Sequence, residues 1–128
     1  GMVLHATAVS MGNPHLMIFD ELSDQEVERL GPVVHAHSLF PRRTNVEFVK
    51  SMDGILDVRV YERGAGWTMA CGTGACATAV AAGLLGKVPL GEEVQVRLPG
   101  GSLWIKVSKD LSMVTMRGPA ALVFEGRM

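Results

Sequence analysis

Hydrophobic and polar positions alternate with a period of two along most of this chain, and only two stretches depart from it. Val3 to Met11 alternates loosely and predicts a strand. Gly12-Asn13-Pro14 has turn chemistry, and Leu16 to Phe19 predicts a short apolar strand. Ser23-Asp24-Gln25-Glu26 then matches a capping box, with Ser23 as the cap and Glu26 reaching back to it. Val27, Leu30 and Val34 continue at helical spacing. Gly31-Pro32 is expected to kink or split that helix, and Pro41 closes the region. Thr44 to Val49 sets Val46 and Phe48 against Asn45 and Glu47, the pattern of a half-buried strand, and Leu56 to Tyr61 repeats it with Leu56, Val58 and Val60 on one face. Glu93 to Leu98, Ser102 to Val107, Met113 to Arg117 and Ala121 to Phe124 predict four more strands, with a hairpin at Pro99-Gly100-Gly101.

The second departure is Gly64 to Gly86, which contains no charged residue. Gly64, Gly66, Gly72 and Gly74 break up its front. What remains is roughly 12 helical residues from Ala75, about 18 Å, too short for the roughly 20 residues of a membrane span. A short helix that is apolar on every side belongs inside a core. Two strands, a surface helix, two strands, a buried helix and four strands therefore predict one α+β domain over residues 3–128. Its sheet is expected to be antiparallel and curled as a partial barrel around the central helix. Gly1-Met2 has the look of a tag remnant before a start methionine.

Composition narrows the partners. With 12 basic and 13 acidic residues among 128, the net charge is −1, and no basic block would attract a nucleic acid or an anionic membrane. Two cysteines, Cys71 and Cys76, form no disulfide framework, so reduced thiols and a cytoplasmic location are expected.

Candidate chemistry concentrates in residues 61–76. Cys71 stands at the mouth of the buried helix, where free backbone amides lower a thiol's pKa and attract carboxylates. The loop Cys71-Gly72-Thr73-Gly74 offers those amides with little side-chain obstruction. Cys76 falls inside the helix and reads as a small buried hydrophobe. Glu62-Arg63 ends a strand facing this loop, so Arg63 could hold a carboxylate and Glu62 an ammonium group, or the two could form a surface ion pair. Asn13-Pro14-His15 and Asn45 are open to equally ordinary structural readings. His35 and His37 have no further ligand at convincing spacing, so no metal site is expected.

Three ordered blocks change the weight of these residues. Gly12-Asn13-Pro14-His15, Arg43-Thr44-Asn45-Val46-Glu47-Phe48, and Glu62-Arg63-Gly64-Ala65-Gly66 followed by Ala70-Cys71-Gly72-Thr73-Gly74-Ala75 resemble the C-terminal half of diaminopimelate epimerase, across residues 3–128. The resemblance implies an epimerase that needs neither pyridoxal nor metal, nor any other cofactor, and that interconverts LL- and meso-diaminopimelate on the route to lysine and peptidoglycan. Two cysteines would face the substrate's α-carbon, one removing a proton and the other delivering one. By position the resemblance makes Cys71 the catalytic cysteine of the second half. It makes Asn13, Asn45, Glu62, Arg63, Gly72 and Thr73 substrate contacts, and His15 a neighbour of the reacting centre.

The chain departs from that family in two places. The family packs two similar halves about a pseudo-twofold, and no counterpart of the first half's cysteine appears in these residues. The expectation is a detached half that is inactive alone. The alternatives are a half that completes its site by homodimerisation or with a separate N-terminal chain, and a non-catalytic domain that binds an amino acid or a protein. Trp67 stands where the family usually has glutamate, through drift or to cover an apolar face.

Overall fold

The computed structural model describes residues 4–10, 14–35, 45–62, 66–68, 72–118 and 123–127. Among these residues, nine strands and two helices follow one another as β1 (Ala6–Ser10), β2 (Pro14–Ile18), α1 (Asp24–His35), β3 (Asn45–Met52), β4 (Ile55–Glu62), β5 (Gly66–Thr68), α2 (Gly72–Leu84), β6 (Glu93–Leu98), β7 (Gly101–Val107), β8 (Met113–Arg117) and β9 (Val123–Arg127). All the strands belong to one sheet, ordered β1-β2-β3-β4-β6-β7-β8-β9, with β5 paired to β4 off this path. The class is α+β, and the sheet curls around a helix that is buried along most of its length.

Two joins in the sheet are parallel rather than antiparallel: β2 with β3, and β4 with β6. Parallel neighbours cannot be closed by a tight turn and need a crossover. Here each crossover contains a helix, α1 in the first and α2 in the second. The helices take opposite faces of the central strands. Val27, Leu30 and Val34 of α1 pack on Leu16, Ile18, Val46 and Phe48. Cys76, Ala79, Val80 and Ala82 of α2 pack on Val49, Val58, Val60, Val96, Ile105 and Val114, while Ala77 and Ala81 pack on Met17.

Local signals explain where the helices begin and end. The capping box forms as the sequence predicts: the Ser23 amide donates to Glu26 Oε1 at 3.0 Å, and the Glu26 amide donates to Ser23 Oγ at 3.1 Å. Gly31-Pro32 does not divide α1, which runs through Pro32 to His35. Only one turn follows the proline, so little backbone bonding is at stake, and the buried stripe of Val27, Leu30 and Val34 holds that turn to the sheet. At the other helix, Gly86 adopts φ 73°. The Lys87 amide reaches Ala82 O at 2.8 Å and the Gly86 amide reaches Gly83 O at 3.2 Å, a Schellman ending. Thr78, which is polar and completely buried, donates its hydroxyl to Gly74 O at 2.8 Å within the helix.

Two stretches differ from the sequence reading. Gly66–Thr68, read as loop, pairs with β4 as a short edge strand. Asn45 and Glu47, assigned by alternation to a wet face, are buried at 8% and 0% exposure. Alternation holds for β3, but α2 covers the face that the sequence leaves to solvent.

Trp67 pairs with Tyr61 across β4–β5 and so lies on the α1 face. Its ring meets Tyr61 edge-on at 5.1 Å, lies 5.9 Å from Phe48 and carries the Arg59 guanidinium at 4.6 Å. Gly31 makes room for it, since a Cβ there would come within 2.6 Å of the indole. Gly31→Ala therefore sets a gain in helix propensity of about 1 kcal/mol against overpacking of about 1–3 kcal/mol. The expected outcome in urea denaturation is a net loss of up to about 2 kcal/mol, relieved when Trp67 is shortened to Leu in the same chain.

Candidate functional site

Strand register decides which of the candidate residues share a surface. His15 is the direct partner of Asn45, and Glu47 of Val60. The Val46–Tyr61 pair faces α1, so Asn45 and Glu62, the next residues along each strand, face the α2 side. His15, Asn45, Glu47 and Glu62 therefore stand together on the inner face, at the start of β2, the start of β3 and the end of β4. The sequence singles out His15, Asn45 and Glu62 from three separate blocks, and the fold puts them side by side. Gly72 and Thr73 form the first turn of α2, where Gly72 is half-buried and Thr73 is exposed. Asn13, Arg63 and Cys71 lie outside the described residues, as does His37. Cys76 is buried at 4% exposure, as its place inside the helix predicts. Among the described residues no group of three His, Cys, Asp or Glu side chains is placed to hold a metal.

Glu47 is the member of the cluster that alternation concealed. Its carboxyl Oε1 lies 2.6 Å from His15 Nδ1, and both side chains are completely shielded from solvent. Burial pushes the Glu47 carboxyl above its ordinary value of 4.5. The hydrogen bond and charge of His15 oppose that rise, and the nearby Glu62 carboxylate adds to it. Glu47 Oε2 and His15 Nε2 are both buried with no hydrogen-bond partner among the described residues. The signal that identifies Glu47 is topological: a strand flanked by two crossover helices is covered on both faces, so a carboxylate within it is buried.

Two clefts lined by described residues lie away from this cluster. The larger of the two, of about 370 Å³, is lined by Phe19, Lys50, Ser51, Met52 and Lys87 among others, at the far ends of β2 and β3 from His15 and Asn45. A cluster that is walled by protein and carries orphaned polar atoms is the better candidate for chemistry.

Comparison with known proteins gives the family. The sequence profile of diaminopimelate epimerase matches residues 7–123. The chain belongs to the diaminopimelate epimerase family. It is 53% identical over 128 residues to the diaminopimelate epimerase of Carboxydothermus hydrogenoformans, covering 98% of this chain and 46% of that protein. With the Bacillus cereus enzyme it shares 49% identity over 122 residues, which is 94% of this chain and 42% of that one. The chain thus spans a little under half the length of these relatives. Its fold also matches a PhzF-family phenazine biosynthesis protein of Bacillus anthracis, with TM-score 0.63 and 22% identity over 89% of this chain and 39% of that one. A PhzF-family protein of Enterococcus faecalis matches with TM-score 0.62 and 14% identity over 88% of this chain and 41% of that one. These two likenesses are of fold.

Because the folded protein favours the neutral form of Glu47, the contribution of this group to stability is fully present below pH 4.5. It is lost as pH rises through the raised value of the folded state. Glu47→Gln removes that ionisation while keeping the shape. The denaturant midpoint of the wild type, measured relative to Glu47→Gln, is expected to fall as pH is raised from 4.5 towards neutrality.

Proposed function

We propose that this chain supplies one half of an active site that interconverts LL- and meso-diaminopimelate, with Cys71 as the acid–base group for one face of the α-carbon. The observation that carries the reading is the meeting of His15, Asn45 and Glu62 on one face of three neighbouring strands. The three residues come from separate sequence blocks, each of which resembles the family at positions that touch substrate.

The chemistry fits residues of these types. An amino acid's α-proton is very weakly acidic, so its removal needs a site that stabilises carbanionic charge and excludes water. Cys71 directly precedes α2, and the partial positive charge at a helix N-terminus favours the α-carboxylate as electron density moves onto it. Asn45 supplies an amide, Glu62 a carboxylate for an ammonium group, and Arg63 a guanidinium for a carboxylate. In one direction the Cys71 thiolate takes the α-proton and becomes a thiol. A second thiol, from a separate N-terminal half, then gives its proton to the opposite face and becomes a thiolate. The substrate leaves inverted at that carbon, with no net change in protons.

Exchange of the α-proton of diaminopimelate into deuterated water, followed by proton NMR, tests the reading. The chain mixed with a separately produced N-terminal half of the Carboxydothermus hydrogenoformans relative is expected to catalyse exchange, and the chain alone is expected to be silent. Cys71→Ser is expected to lower the rate of the mixture by about 10²–10⁴-fold, the usual weight of a general acid–base group. Exchange that survives Cys71→Ser unchanged overturns the proposal.

A further inference from the structure

The shielded contact between β2 and β3 has a protonation state that its surroundings restrict. Leaving an isolated charge in a site with no solvent costs several kcal/mol. The described elements packed around the pair bring no cation to offset one. The strand β1 carries no titratable side chain, α2 carries only Cys76, and Glu62 on β4 is acidic. Glu47 Oε2 is buried without a donor among the described residues. That position is costly for a carboxylate oxygen and far less so for the carbonyl oxygen of a neutral acid.

We propose that Glu47 and His15 form an uncharged pair in which the Glu47 carboxyl donates its proton to His15 Nδ1, so that Glu47 acts as a positioning residue that fixes the hydrogen of the ring on Nε2. Which nitrogen of an imidazole carries hydrogen is set by the bond made at the other one. At 2.6 Å the Oε1–Nδ1 contact is short enough for a strong O–H···N bond. Nε2–H, which has no acceptor among the described residues, then becomes a buried donor available to an acceptor atom of the bound amino acid. The upward shift of the Glu47 carboxyl on burial agrees with this arrangement. The role of the donor toward substrate rests on the proposed epimerase reading. The protonation state of the pair does not.

Histidine ring nitrogens labelled with ¹⁵N, observed in the unliganded full chain near neutral pH, give a direct test. The expected spectrum for His15 has a protonated, pyrrole-like Nε2 and a pyridine-like Nδ1 that accepts a hydrogen bond. Two protonated nitrogens, the signature of an imidazolium–carboxylate ion pair, overturn the proposal. Hydrogen on Nδ1 with a pyridine-like Nε2 does the same. Two variants separate positioning from simple support of the fold. Glu47→Gln can donate its amide hydrogen to Nδ1 in place of the acid and is expected to keep the Nε2–H form, whereas Glu47→Leu is expected to give a mixture of both tautomers. A folded Glu47→Leu that keeps a single Nε2–H form also overturns the proposal. Addition of diaminopimelate is expected to shift the Nε2 resonance in the mixed, complete protein. An unshifted Nε2 in a mixture that exchanges α-protons overturns the donor role and leaves the epimerase reading intact.

Discussion

Covering both faces of the central strands is the constraint on which the rest of this structure depends. It follows from chain direction. Strands β2 and β3 run parallel, as do β4 and β6, and each pair needs a crossover that leaves the sheet and returns. The helices in those crossovers settle on opposite faces, so β2, β3 and β4 lie between two apolar layers. A polar group on the covered part of these strands must then find a partner inside the protein or remain as a costly exception. His15 and Glu47 do both, pairing with each other through one atom each and leaving one atom each without a partner among the described residues.

Much of this was legible in the sequence. The alternation in 56–61 and the apolar run after Gly74 give strand, helix and burial correctly, and the capping box places the start of α1 at the correct residue. These signals are local: each depends on a few neighbouring side chains and the backbone between them. The parallel joins were not legible, because strand direction depends on where a crossover lands and no short pattern records that. The error at Asn45 and Glu47 has the same origin. An alternating strand shows which residues share a face, but not what covers the second face. Gly66–Thr68 was hidden by its glycine, since a three-residue edge strand is held by its neighbour more than by its own propensity.

The candidate site shows the same division. The sequence blocks singled out His15, Asn45 and Glu62 by residue type and resemblance, and only register brings them onto one surface. Glu47 reads as an ordinary polar residue of a half-buried strand until both helices are in place. Its importance comes from the surroundings, which make a common carboxylate uncommon by removing water and setting it against the His15 imidazole.

The placement of the two tryptophans has a practical consequence. Trp67 lies beneath Arg59 on the α1 face. Trp104 alternates with the buried Ile105 on β7, so it too faces away from α2, with the Arg117 guanidinium 4.7 Å from its ring. Both indoles are thus separated from the inner cluster by the thickness of the sheet. Intrinsic fluorescence in this protein is an optical gauge of whether the outer layer is assembled, and it is nearly blind to what occupies the inner one.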